Sequence, residues 1–170
     1  VILDNDAKDI LPKVYGTDLG IILKPLKNLI LKTALWHFYS EQEFVYVGDE
    51  GIVEPGGKTR RVGIDLSARY QFSSWLFGDI DVNYTKARSI EAAKGEDYVP
   101  LAPSLTSIGG FTIKTKKGLS GSLRYRLIGD RPANETNTVI AKGYFIADCS
   151  VAYIWKKLEF TVSMENIFNR

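Results

Sequence analysis

The stretch from Thr59 to Tyr84, TRRVGIDLSARYQFSSWLFGDIDVNY, decides the fold class of this chain. On either side of its central Ser73–Ser74 pair, apolar residues occupy almost every second position. Successive side chains leave a β-strand on opposite faces, so this period of two indicates two strands, and the serine turn joins them in an antiparallel hairpin. One face of the hairpin is apolar, and the other carries full charges at Arg69, Asp79 and Asp81.

The same alternation recurs along the chain and predicts an all-β fold of about eight strands. The second strand has two similar faces, and we favour the arrangement that places Lys32 on the polar side. Phe44–Val47 is apolar enough to extend a strand into the loop that follows. The predicted strands are Val14–Lys24, Leu29–Tyr39, Thr59–Tyr70, Leu76–Tyr84, Thr106–Lys114, Leu119–Leu127, Phe145–Tyr153 and Leu158–Met164.

The connections between these strands are alternately short and long, beginning with a loop at residues 1–13. In an antiparallel up-and-down meander, every short turn therefore lies at one end of the sheet and every long loop at the other. Outer-membrane barrels have this asymmetry, an apolar outside, a polar inside and aromatic girdles at both interfaces. The short turns are Pro25–Asn28, Ser73–Ser74, Thr115–Gly118 and Trp155–Lys157, the long loops are 40–58, 86–104 and 129–143, and the strand-end aromatics are Phe72, Trp75, Tyr84 and Trp155.

Composition limits the classes of function. A chain of 170 residues that is 45% hydrophobic is the size of one domain and is not disordered. Its net charge of +2 gives no electrostatic case for nucleic acid. Cys149 and His37 are each the only residue of their type, which argues against a disulfide and a cysteine- or histidine-rich metal site. The chain begins at Val1 without a signal peptide, so we expect a mature protein or a piece of a longer one.

Few side chains suggest catalysis. Asp79 and Asp81 share a strand face and resemble a general acid/base pair, but charged residues that line a barrel lumen are the interpretation we favour. We place Cys149 on the lipid-facing side and expect no redox role. Asn134–Thr136 fits a glycosylation sequence, which we attribute to chance. We therefore predict no catalytic residue, no metal site and no cofactor.

Two sets of residues are candidates for function instead. The first set is polar and predicted to face the lumen: Arg61, Asp65, Arg69, Asp79, Asp81, Asn83, Arg124, Arg126 and Asp148. The second set lies in the long loops and is predicted to face a ligand: Glu50, Glu54, Lys58, Lys94, Asp97, Tyr98, Arg131, Asn134 and Asn137.

The C-terminal run FTVSMENIFNR, residues 160–170, resembles the end of the barrel in TonB-dependent outer-membrane receptors, which commonly carry V-x-N-L-F-N-x-x-Y there. The matching residues are Glu165, Asn166, Ile167, Phe168 and Asn169, with Ile167 in place of leucine. Shorter likenesses are Thr59–Asp65 to an R-G-x-E strand, Val99–Pro103 to a P-x-x-P segment, and Gly129–Arg131 with Gly143–Asp148 to a late loop and strand.

The resemblance implies a section of a transmembrane barrel of about 22 strands, in which an N-terminal plug and the final strand lie outside residues 1–170. It further implies an outer membrane of a Gram-negative bacterium, with lipid, the TonB complex (through the missing N-terminal part) and a small-molecule or metal-chelate ligand as partners. The expected function is uptake of a ferric siderophore, another metal chelate or a vitamin. Two alternatives stay open: a small independent outer-membrane barrel, which predicts a signal peptide directly before Val1, and a soluble ligand-binding β-barrel, which predicts recovery without detergent.

Overall fold

The long strands form one antiparallel sheet in which each strand pairs with the next long strand along the chain. The computed structural model describes residues 12–47, 52–55 and 57–169, so most of the predicted loop at residues 1–13 lies outside the described residues. In chain order the strands are β1 (Val14–Leu26), β2 (Leu29–Ser40), β3 (Phe44–Val47), β4 (Ile52–Pro55), β5 (Thr59–Gln71), β6 (Leu76–Ser89), β7 (Leu105–Lys114), β8 (Leu119–Ile128), β9 (Arg131–Pro132), β10 (Ile140–Ala141), β11 (Tyr144–Trp155) and β12 (Leu158–Met164).

The predicted fold class, an all-β antiparallel meander of about eight strands, is confirmed. The main sheet has eight strands in the order β1-β2-β5-β6-β7-β8-β11-β12. Its short turns all lie at one end and its long connections all lie at the other. In the described part of the chain, β1 and β12 are the two outer strands and do not pair with each other. The described residues include no helix that is long and apolar enough to span a membrane.

Apolar side chains cover one face of the sheet across all eight strands. The strand register puts Leu66 opposite Val82, and aligns Phe111, Leu123, Cys149 and Met164 in one row of that face. The residues predicted to face lipid all lie on it, and it is exposed: Leu66 is 46% exposed and Leu123 is 48% exposed. A soluble monomer rarely exposes an apolar patch larger than a few hundred Å². This face therefore requires apolar surroundings. The residues predicted to face lipid are Ile64, Leu66, Ile80, Val82, Leu123 and Val151.

The opposite face carries the charges. Lys32 lies opposite Ser67, which lies opposite Asp81, so β2 presents Lys32 on the polar face as we favoured from the sequence. His37 lies on the apolar face, opposite Thr17 and exposed to the surroundings near the long-loop end of β2. The two faces thus differ in polarity along most of the long strands, whereas on β2 Lys32 shares the polar face with Ile30 and Phe38.

Several strand ends, and one pairing, differ from the sequence prediction. β6 runs five residues beyond Tyr84, because Thr85–Ser89 continue to pair with β5. The alternation ends at Tyr84, since Lys86 takes an apolar-face position where the strand rises towards the loops. β1 runs through Pro25, which an edge strand tolerates, with a register shift there. Phe44–Val47 does not extend β2 but pairs with β4 in a separate hairpin.

Candidate functional site

The nine residues predicted to face a lumen all lie on the polar face of the sheet. The register aligns Arg69, Asp79, Gly110, Arg124 and Asp148 in one row that crosses β5, β6, β7, β8 and β11. The other predicted residues take alternate positions along the same strands, which places them on the same side. That this side borders a lumen stays a prediction at this point.

An ion pair crosses the middle of this row. Arg124 on β8 binds Asp79 on β6 in a bidentate pair, with an Nη2–Oδ2 distance of 2.8 Å. Gly110 on β7 lies between them in the register, and because it has no side chain, the guanidinium can reach over β7 to the carboxylate. A Cβ at Gly110 would lie 2.0 Å from the carbonyl oxygen of Leu123, and its φ is +154°. Glycine is therefore required here both for the backbone and for the ion pair.

Two further pairs flank this one. Arg69 Nη2 lies 2.6 Å from Asp81 Oδ2, and Arg126 Nη2 lies 2.9 Å from Asp148 Oδ2. Asp79 and Asp81 are each engaged by their own arginine, which is the arrangement of structural ion pairs. A general acid/base pair is therefore not what this geometry favours. The face is polar, nearly balanced in charge and cross-linked between strands.

Trp36 lies on this polar face together with Lys32, as the favoured arrangement of the second strand implies, although it was not among the candidate site residues. Trp36 Nε1 donates to Asp65 Oδ1 at 3.3 Å, and Asn83 Nδ2 also donates to this carboxylate. The indole ring lies over Gly63, where a Cβ would come within 2.3 Å of it. The available signal was the position of Trp36, four residues after Lys32 and so on the same strand face.

At the long-loop end, Arg88 holds one loop against the sheet. Its guanidinium carbon lies 3.9 Å from the centroid of the Tyr98 ring, and its Nε lies 3.3 Å from Asp97 Oδ2. The sequence placed Arg88 in a loop, but it is a residue of β6 that contacts the loop. Asp97 and Tyr98 were predicted to face a ligand, and both are already in contact with Arg88.

The second and third long connections form one surface. Tyr98 N donates to Glu135 O at 3.1 Å, and Leu101 N donates to Pro132 O at 2.7 Å. A groove of about 430 Å³ lies between these connections and the adjoining strand ends. Its polar lining, which includes Lys86, Arg88, Tyr98, Asp130, Arg131 and Asn137, offers cations, a carboxylate, an amide and an aromatic ring.

The other predicted loop residues have varied surroundings. Lys58 pairs with Glu91 at 2.9 Å, and this contact raises the pKa of Lys58 and lowers that of Glu91. Lys94 is exposed. Asn134 does not point outward, since its Oδ1 accepts from the backbone N–H groups of Thr138 and Val139. Glu50 lies outside the described residues, and Glu54 belongs to β4.

Asp130 closes the base of the third connection. Its Oδ1 accepts from Gly143 N at 2.7 Å and its Oδ2 pairs with Lys142 Nζ at 3.0 Å. The hydrogen bond from Gly143, followed by the contact with Lys142, lowers the pKa of Asp130 below its ordinary value. A depressed folded-state pKa means that the contact is present at neutral pH and is lost only as pH falls through that lowered pKa.

The C-terminal motif forms a turn that folds back on β11. Asn166 N donates to Asp148 Oδ1 at 2.9 Å, and Ile167 N donates to Ala147 O at 2.8 Å. Asn166 and Asn169 both have φ of +49°, a left-handed conformation that asparagine tolerates better than most residues. Phe168 lies 6.1 Å from Phe145, centroid to centroid, and Glu165 is exposed. The motif thus has a structural role at the end of β12.

In the described part of the chain, no group of three or more His, Cys, Asp or Glu side chains is placed to hold a metal ion. A family model described as TonB dependent receptor-like, beta-barrel, matches residues 12–167. No curated protein matches the chain.

Several solved structures share the fold. The ferric yersiniabactin uptake receptor of Yersinia pestis is 19% identical with a TM-score of 0.74, and the alignment covers 94% of this chain and 25% of that one. The ferric-catecholate import receptor of E. coli K12, in its closed form, is 21% identical with a TM-score of 0.71, and the alignment covers 94% of this chain and 24% of that one. A copper transporter is 17% identical with a TM-score of 0.71, covering 94% and 26%. This chain therefore spans about a quarter of each.

Proposed function

Because this chain belongs to the TonB-dependent receptor-like β-barrel family, we propose that it forms part of the wall of an outer-membrane receptor in a Gram-negative bacterium. The receptor imports a scarce ligand with energy supplied through TonB. The chain's contribution is non-catalytic: it separates lipid from a polar lumen and carries loops that face the ligand.

The observation that carries this proposal is the difference between the two faces of the sheet. One face is apolar across eight strands, and the other carries arginine–aspartate pairs such as Arg124–Asp79. A wall between hydrocarbon and a water-filled lumen needs this division, and long extracellular loops opposite short periplasmic turns accompany it. A soluble barrel would place the apolar face inward and the charged face in water, so detergent-free recovery distinguishes the two.

We further propose that the wall is a section of a larger barrel. In the described residues, β1 and β12 each have one unpaired edge, and such edges template association unless they are covered. Strands from outside residues 12–169 would pair with both edges, and a plug and a TonB-contacting segment would come from the same longer chain. This arrangement is favoured over a small independent barrel, in which β1 and β12 would pair with each other.

The groove at the long-loop end supports one class of ligand. Arg131 supplies positive charge there, and Tyr98 supplies an aromatic surface. Negatively charged metal chelates match this lining better than neutral ligands do. The solved structures with this fold include receptors for ferric yersiniabactin and ferric catecholates, which supports a ferric siderophore or another metal chelate as the ligand of this chain.

Uptake measurements test this function. A strain that lacks the gene should lose uptake of one member of a panel of radiolabelled ferric chelates (catecholate, hydroxamate and carboxylate types), and disruption of TonB should have the same effect. In the complemented strain, Tyr98 and Arg131 are replaced together by alanine. The chelate concentration that gives half-maximal uptake should rise about tenfold or more, because loss of an aromatic and an arginine contact commonly weakens binding by that much.

Lys94→Ala is the matched control for these loop substitutions, because Lys94 is exposed and does not line the groove. It should leave uptake unchanged. Uptake of the whole panel without the gene, or uptake by the wild type that persists without TonB, would contradict the proposal.

A further inference from the structure

The apolar face is indented over five adjacent strands. The floor of this indentation is formed by the small residues Ala68, Gly78 and Ala147, and aromatic rings stand at its two ends. The indentation, which we call the acyl groove, has a volume of about 480 Å³ and is almost entirely apolar. Most of a lipid-facing wall needs no such shape, because fluid hydrocarbon fits any surface.

The aromatic walls of the acyl groove are braced by one another. At one end, the rings of Tyr70 and Phe72 meet edge to face with centroids 4.6 Å apart. At the other end, Tyr125 stacks on Phe145 at 5.6 Å, and the Tyr125 hydroxyl lies 2.8 Å from Ser107 Oγ. These contacts form the groove before any ligand binds, which lowers the entropic cost of binding.

The dimensions of the acyl groove suit one hydrocarbon chain. It runs from β5 to β11, which is four strand spacings of about 4.8 Å, or about 19 Å in all. One leaflet of a bilayer contains about half of the roughly 30 Å hydrocarbon core. Barrel strands tilt by about 40°, so the groove rises obliquely from the short-turn end and has the length of a chain that crosses one leaflet.

Lysines lie in the turns on either side of the lower end of the groove. Phe72 lies in the turn between β5 and β6, and hydrogen bonds join this turn to its two neighbours: Asn28 Nδ2 donates to Gln71 O, and Lys114 N donates to Trp75 O. Those neighbouring turns carry three lysines: Lys27, Lys116 and Lys117. All three are exposed, and none forms an ion pair with a carboxylate within the described ranges.

We propose that the acyl groove and these lysines form a binding site for one anionic phospholipid. One acyl chain lies in the groove, and the phosphate group meets the lysines at its lower end, near the Ser73–Ser74 turn. The inference rests on the proposed membrane-wall function, which puts the short-turn end in the periplasmic leaflet. Charge complementarity selects an anionic phospholipid over a zwitterionic one. The site would hold this part of the wall at a fixed depth in the bilayer.

The test uses the full-length gene product, extracted in detergent, stripped of lipid and titrated with phosphatidylglycerol or phosphatidylcholine of matched chains. Native mass spectrometry reports the lipid retained. The wild type should retain one phosphatidylglycerol in preference to phosphatidylcholine. Each lysine near an anionic headgroup contributes roughly a fivefold gain, so Lys116→Gln with Lys117→Gln should weaken this binding about tenfold or more.

Two controls make the outcome specific. Lys156→Gln with Lys157→Gln removes the same charge at the same end of the sheet but two turns from the lower end of the groove, and it should leave binding unchanged. Ala68→Phe fills the groove and should weaken the binding of both lipids. Val151→Phe lies on the apolar face outside the groove and should leave the binding of both unchanged.

The proposed site would be overturned by any of three results. The wild type could retain both lipids equally, the two double-lysine variants could lose phosphatidylglycerol binding equally, or Ala68→Phe could bind lipid as the wild type does. These results leave the proposed function intact, provided that the wild type requires detergent. A wild type recovered from the soluble fraction would instead overturn the proposed function and the site with it.

Discussion

Arginine in place of Leu66 or Leu123 is expected to destabilise the full-length protein in lipid by about 2–4 kcal/mol, the typical penalty at the bilayer midplane. Both side chains are roughly half exposed on the apolar face, where a guanidinium would meet hydrocarbon. The measurement is a folding titration with denaturant in phospholipid vesicles, which gives the free energy of unfolding for each variant.

Ser67→Arg is the matched control for this prediction. Ser67 is next to Leu66 in β5 but lies on the polar face, between Lys32 and Asp81 in the register. We expect a much smaller change in the free energy of unfolding, because a guanidinium in a water-filled lumen keeps its hydration. Equal penalties for Leu66→Arg and Ser67→Arg would show that the assignment of the two faces is wrong.

Valine in place of Gly110 is expected to destabilise the protein by about 3 kcal/mol or more, as backbone strain and overpacking act together. The new Cβ would lie 2.0 Å from the carbonyl oxygen of Leu123, so the β7–β8 pairing has to shift. The side chain would also stand between Asp79 and Arg124 and separate the two charges. The same vesicle titration measures this loss.

Gly16→Ala tests whether strand glycines are generally required. At Gly16 the nearest atom to an added Cβ is a ring carbon of Phe38 at 3.9 Å, which is ordinary contact. Alanine there should be neutral or stabilise by up to about 1 kcal/mol, because it restricts the unfolded chain. If Gly110→Val is tolerated as well as Gly16→Ala, neither the Asp79–Arg124 ion pair across β7 nor the backbone at Gly110 constrains the sheet.

The strands could be predicted from the sequence because their alternation reports two different environments. The alternation stops where the strand leaves these two environments. After Tyr84, the positions that would be apolar hold Lys86 and Arg88, so β6 was predicted five residues too short. The β3–β4 hairpin was missed for a related reason, since Phe44–Val47 is apolar without indicating which strand it pairs with.

The contacts of the candidate site could not be predicted, since they depend on register across several strands. Asp79 and Arg124 are separated by 45 positions and meet only because Gly110 lies between them. Asn134 was expected to face a ligand because asparagine is polar and lies in a loop, but its amide bonds to its own loop instead. Polarity and loop position do not distinguish these two roles.

Thiol labelling on intact cells tests the central claim, that this chain crosses the outer membrane with its long loops outside. Single cysteines are placed in a Cys149→Ser background at Lys94 and Glu135, in two long connections, and at Ser74 and Lys117, in two short turns. An impermeant thiol reagent should label the first two on intact cells and the last two only after the outer membrane is breached. The reverse pattern, or equal labelling of all four on intact cells, would contradict the account.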